Sequence, residues 1–199
     1  MNSARLWVEH MWREGELRKR DLLRSAVGLV QYRFALVDME KIARDGAQRL
    51  AGTPEELLRA RVKAWYEAQI RTTIRPSMRE AVQRHRAAGD VVVLLTASSP
   101  YVAVPLCEDL EIEHQISTRF EVVDGHFTGE LEALCYGAGK VHLSEAWAAE
   151  AAVDLDGSWF YSDSYTDLPM LERVGNPVVV HPDPRLARWA RQHQVEVVS

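Results

Sequence analysis

Asp163 and Asp167 stand four residues apart in Phe160-Tyr161-Ser162-Asp163-Ser164-Tyr165-Thr166-Asp167-Leu168-Pro169-Met170-Leu171. Two carboxylates at this spacing can offer oxygen ligands to a hard cation such as Mg²⁺. The apolar run Trp159-Phe160-Tyr161 reads as a short buried strand, and Leu168, Met170 and Leu171 as the start of an amphipathic helix. The acidic pair is therefore expected on a strand-to-helix loop at the carboxyl end of a strand, where open α/β sheets keep their chemistry. The competing reading is local: Asp163 caps the following helix and Asp167 sits in its first turn.

Two more polar groups fall at equivalent places. Thr96 and Ala97 follow the apolar run Val91-Val92-Val93-Leu94-Leu95, and Lys140 follows Gly137-Ala138-Gly139 at the opening of a helix. In a parallel sheet the carboxyl-end loops share one edge and can converge. A hydroxyl and helix N-terminal amides can hold phosphate oxygens. A lysine can neutralise phosphate and transition-state charge, and carboxylates can hold Mg²⁺ against it. Singly, Thr96 could be a helix N-cap and Lys140 a solvated lysine; their order along the chain favours a phosphate site.

The elements that must position these groups change character at Gly89. Before it, apolar spacing predicts helices only. One face carries Leu6, Trp7, His10 and Met11, and a helix is expected over residues 16–30. Asp38 is expected to cap a helix through Leu50, Thr53 to cap another that Pro54 opens, and Pro76 to open a third that ends at Gly89. After Gly89, buried strands at 91–95, 159–161, 177–180 and 195–198 alternate with helices, and strands over 117–123 and 126–130 flank an Asp124-Gly125 hairpin turn. This pattern predicts an α/β fold, a Rossmann-like parallel sheet with helices on both faces, over residues 73–199, and a helical domain over residues 1–72.

Composition excludes several classes. Hydrophobic residues make up 47% of 199, enough for a core. A net charge of −5 with diluted basic clusters argues against a nucleic-acid surface. Apolar runs are too short for a membrane span, and the N-terminus lacks a signal-peptide pattern. Cys107 and Cys135 have no metal-ligand spacing, so buried thiols in a cytoplasmic protein are expected.

On these residues the chain resembles the haloacid dehalogenase superfamily of phosphohydrolases, in the subgroup containing phosphoserine phosphatase. Val93-Leu94-Leu95-Thr96-Ala97-Ser98 resembles the second motif, Gly139-Lys140 the third, and Tyr161-Ser162-Asp163-Ser164-Tyr165-Thr166-Asp167 the fourth. Asp124-Gly125-His126-Phe127-Thr128-Gly129 and Pro182-Asp183 add to the likeness; the family often has Asn at the position of His181. The resemblance implies a Mg²⁺-dependent phosphomonoesterase acting on a small phosphate ester. Thr96 and Ala97 would bind phosphate, Lys140 would partner phosphate and nucleophile, and Asp163 and Asp167 would serve the metal, Asp167 also as a supporting acid. The helical segment would be a cap over the substrate, with Arg33, Arg44 and Arg71 as candidate contacts.

The family's first motif, D-x-D-x-T, is not found; Asp38-Met39-Glu40 is taken as its nearest imitation. In the family the first Asp of that motif attacks phosphorus and forms an aspartyl-phosphate. The chain is thus expected to begin about 15 residues late. A central strand would be missing between the strands ending at Thr96 and Tyr161, with little or no hydrolysis. The alternative function is a pseudo-phosphatase that binds phosphate ligands without turnover. A receiver-like signalling domain fits less well, given the long helical half and the paired Asp163 and Asp167.

Overall fold

The structure is a computed structural model that describes residues 39–198. The expected helices before Asp38, the Asp38 cap and Arg33 lie outside the described residues. The chain divides into two compact units at Ala133 and Leu134.

The first unit holds helices α1 (Met39–Leu50), α2 (Glu55–Trp65) and α3 (Pro76–Ala88). After α2 the backbone passes through one wide turn, Tyr66–Ile70, and one tight turn, Arg71–Thr73. Strand β1 (Val93–Thr96), helix α4 (Pro100–Leu110) and strand β2 (His114–Ser117) follow, then the hairpin β3 (Arg119–Val123) and β4 (His126–Ala133). Strands β1 and β2 are parallel, with Thr96 level with Ser117. In the hairpin turn both Asp124 (φ 50°) and Gly125 (φ 74°) are left-handed, as the tight turn signalled by Asp-Gly requires.

Two local expectations are corrected here. Thr53 does not cap α2; the cap position is Pro54. The reason is tertiary. The Thr53 carbonyl accepts from Phe127 N–H at 3.1 Å, and Pro54 bridges His126, so this stretch lies along β4. The strand expected over 117–123 is β3, which begins at Arg119; Ser117 instead ends β2, a strand the sequence did not announce, and Thr118 divides the two. There the Thr118 N–H leaves the ladder and donates to the Ser98 carbonyl at 3.0 Å.

One apolar core joins the helices to the rest of this unit. Val62, Trp65, Tyr66 and Ile70 pack with Tyr101 of α4 and Phe127 of β4. Phe127 meets Tyr101 edge-on at 5.8 Å and Phe120 at 6.1 Å between ring centres. Each fully buried side chain of this size contributes roughly 1.5–3 kcal/mol. Two phenols tie α2 and the following turn to α4: Tyr66 donates to Asp109 at 2.8 Å and Tyr101 to Glu55 at 3.2 Å. Burial, then the neighbouring carboxylates, push both phenols well above their ordinary range.

The second unit is a parallel three-stranded sheet in the order β5 (Trp159–Ser162), β6 (Asn176–Val180), β7 (Glu196–Val198). Helices α5 (Ala138–Ala151), α6 (Leu168–Arg173) and α7 (Pro184–His193) accompany it. Val179 of β6, Leu171 of α6, and Leu186 and Ala190 of α7 are fully buried together. After β6, His181 adopts a left-handed φ of 42°, and its N–H donates to the Val198 carbonyl at 3.1 Å. His, like Asn and Asp, is among the non-glycine side chains that adopt this conformation most readily.

The α/β class with parallel strands and accompanying helices is as expected. Among the described residues β1 pairs only with β2, and β5 only with β6. Among the described residues no helix is long and apolar enough to cross a membrane.

Candidate functional site

Lys140 lies in the first turn of α5, and the chain enters that turn tightly. A Cβ on Gly139 would stand 2.2 Å from the Leu134 carbonyl oxygen, so only glycine lets the chain pass. Lys140 is 5% exposed, which removes the solvated-lysine reading. Its Nζ is 2.7 Å from Asp167 Oδ1 and 5.7 Å from the centre of the Phe160 ring. A buried ammonium needs a partner of opposite charge, and Asp167 is that partner.

Asp167 is itself nearly closed to solvent, at 9% exposure. Its second oxygen accepts from the Ser162 hydroxyl at 2.8 Å. The Ser162 oxygen in turn accepts from Ser164 N–H at 3.2 Å. Ser162, the last residue of β5, therefore joins the acidic loop to the buried pair. The local reading fails for Asp163, which does not cap the helix, while Asp167 does lie in the first turn of the short helical segment that follows. Ser164 caps the short turn Tyr165–Asp167 by accepting from Thr166 N–H, and Asp167 precedes α6 without a side-chain cap bond. Asp163 is half-buried on the same loop.

These contacts decide how each acid could meet a cation. Both Asp167 oxygens are engaged, by Lys140 and Ser162, and Asp163 lies on the same loop. Among the described residues no group of three or more His, Cys, Asp and Glu side chains gathers for a metal.

Thr96 ends β1 in the first unit. Its hydroxyl accepts from Ser98 N–H at 3.1 Å, and the cap position of α4 is Ser99, so Thr96 is not the helix cap. A hydroxyl that accepts one bond still has its own proton to donate to a phosphate oxygen. Ala97 follows it in the bend before α4. Of the arginines raised as substrate contacts, Arg44 pairs with Glu40 at 2.7 Å and Arg71 with Asp109 at 3.0 Å.

The first motif needs a correction. Asp154-Leu155-Asp156-Gly157-Ser158 is a closer imitation of D-x-D-x-T than Asp38-Met39-Glu40. It precedes β5, at the opposite end of that strand from Asp163. Its groups are occupied in a turn: Asp154 Oδ1 accepts from Asp156 N–H at 2.9 Å, and Asp156 pairs with Arg173 at 2.8 Å. It is a structural turn. Asp183, which sequence reasoning noted only as part of a motif, also bonds to the acidic loop: its carboxylate accepts from Tyr165 N–H at 2.6 Å. Only its position after a β-strand, in step with Asp163, could have signalled this.

The chain is similar to known proteins. A probable phosphatase of Mycobacterium tuberculosis is 35% identical over 147 residues, covering 68% of this chain and 51% of that protein. A phosphoserine phosphatase of the same organism is 37% identical over 133 residues, covering 66% of this chain and 43% of that protein. A solved structure of a protein of unknown function from Bordetella pertussis matches all of this chain and 92% of its own, with a TM-score of 0.87 and 28% identity. The chain spans about half the length of the first curated relatives, 51% of each. The family model of the haloacid dehalogenase-like hydrolases matches residues 2–172, and the chain belongs to that family.

Proposed function

We propose that the chain carries the phosphate- and Mg²⁺-handling groups of a phosphomonoester hydrolase acting on a small phosphate ester. The observation that supports this reading above the others is the buried Lys140–Asp167 pair, 2.7 Å apart, on the loop that also holds Asp163. A surface lysine would have no reason to be buried at the start of a helix. A lysine held by one carboxylate keeps two ammonium protons for phosphate oxygens. In this reading Asp167 orients Lys140, and Lys140 neutralises charge on the transferring phosphoryl group. Thr96 donates its hydroxyl proton to a phosphate oxygen, with the Ala97 backbone beside it. Asp163 is the Mg²⁺ ligand, and Asp167 supports it from behind. Bound Mg²⁺ would polarise the phosphoryl group and neutralise its charge. Residues 1–72 act as the cap that selects the alcohol part of the ester; a phosphoserine-like ester is the first to test, given the named relative.

A second reading rests on the absence of D-x-D-x-T. Without that nucleophile the same groups make a binding module for phosphate ligands. One experiment separates the two. The 199-residue protein is assayed with Mg²⁺ on p-nitrophenyl phosphate and phosphoserine, beside Asp163→Asn. Mg²⁺-dependent turnover lost in Asp163→Asn supports the hydrolase. Phosphate binding without turnover supports the module. Neither binding nor turnover refutes both.

A further inference from the structure

Several hydrogen bonds converge on Asp183, a residue outside the groups assigned to phosphate and metal. Its Oδ1 accepts from the N–H groups of Arg185 and Leu186, both at 2.9 Å, and so caps α7. Its Oδ2 accepts from the N–H of Tyr165 at 2.6 Å. Its own N–H donates to the carbonyl of Asp163 at 2.9 Å. The Arg185 guanidinium lies 4.2 Å from the centre of the Tyr165 ring, a further tie between the same two segments.

We propose that Asp183 is a positioning residue for Asp163, fixing the acidic loop to the N-terminus of α7. The two carboxylate oxygens divide the work, one for the helix and one for the loop. The loop is held on its other side by Ser162, which accepts from Ser164 N–H and donates to Asp167. Asp163 is thereby fixed through its own carbonyl and through the two residues that follow it. Such supporting bonds set the direction of a ligand carboxylate and commonly tune metal affinity. The consequence for Mg²⁺ rests on the reading of Asp163 above; the geometry of the loop does not.

The division of labour gives a clean test. Asn is as good a helix cap as Asp. Asp183→Asn keeps an oxygen for Arg185 and Leu186 but turns an amide N–H₂ toward the Tyr165 N–H. Asp183→Ala loses both. Amide hydrogen exchange, thermal melting and Mg²⁺ titration by calorimetry are compared in the 199-residue protein and both variants. In Asp183→Asn Tyr165 exchange should rise by about tenfold or more, and the melting temperature should fall by less than in Asp183→Ala, which also loses the cap. Mg²⁺ affinity should fall by a similar factor in both variants. Unchanged Tyr165 exchange in Asp183→Asn would overturn the proposal, as would unchanged Mg²⁺ affinity alongside faster exchange. If the parent protein binds no Mg²⁺, the metal reading of Asp163 fails, and the exchange result alone decides whether Asp183 holds the loop.

Discussion

Removing one member of the Lys140–Asp167 pair should cost far more than removing both. The two side chains are 7% and 12% exposed and their charged atoms are 2.7 Å apart. At an effective dielectric constant of about 20, two unit charges at that distance attract by about 6 kcal/mol. Desolvation offsets much of this, so the net worth of the pair is small. The loss of a single partner is not small, because it strands the other charge. Lys140→Met leaves the Asp167 carboxylate with the Ser162 hydroxyl alone. Asp167→Leu leaves the Lys140 ammonium facing the Phe160 ring, 5.7 Å away, which recovers about 1–2 kcal/mol at most. Each single variant should lose about 3–5 kcal/mol, and the double variant should lie within about 2 kcal/mol of the parent. Urea melts of all four proteins complete the cycle. Additivity within about 0.5 kcal/mol would refute the argument, since uncoupled residues add.

Other perturbations follow from separate features. Gly139→Ala should cost about 1–3 kcal/mol in a urea melt, because its Cβ meets the Leu134 carbonyl at 2.2 Å and must push the start of α5 aside. Tyr66→Phe should cost about 1–2 kcal/mol, measured the same way, because it leaves the Asp109 oxygen without its 2.8 Å donor. Burial, then Glu108, push the Cys107 thiol up from 9.0 to about 11. The folded chain therefore holds this proton more tightly than the unfolded one. The contribution is fully present below about pH 9 and is lost as pH rises toward 11, and Cys107→Ser should flatten that part of a stability–pH profile. His181→Asn should leave stability unchanged or slightly raised, whereas His181→Val should cost about 1–2 kcal/mol, because a β-branched side chain resists the left-handed φ of 42°. Thermal melts of both variants check this.

The alternation of buried runs and helical stretches after Gly89 was legible because each strand is short, apolar and bounded by Gly, Pro or Asp. The Asp124-Gly125 turn was legible because few residue pairs adopt two left-handed conformations in succession. Strand β2 was not, since His114-Gln115-Ile116-Ser117 has little apolar content and gains its place by pairing with β1. The Thr53 cap was misplaced for a similar reason: β4 claims the Thr53 backbone, and nothing near Thr53 in sequence announces it. At the site, residue types were readable and their commitments were not. Asp167 was read as a residue serving the metal, and nothing near it in sequence announced that its two oxygens also meet Lys140 and Ser162. Asp154-Leu155-Asp156 shows the converse, a pattern whose chemistry is cancelled by its end of the strand.

Strand β6 acts as a ruler. Ser162 is level with Val179 across the β5–β6 ladder, so the two strands finish almost together. Three residues beyond Val180, Asp183 reaches back to both Asp163 and Tyr165. Deleting one residue of β6 would draw Asp183 back by about 3.3 Å and reverse the side to which each following residue points. A bond of 2.6 Å does not survive such a shift. The residue count of this strand is therefore fixed by the acidic loop beside it, as much as by the hydrophobic layer that β6 itself fills. A library of single deletions along the chain should find β6 among the least tolerant stretches, even where every side chain lost is a valine.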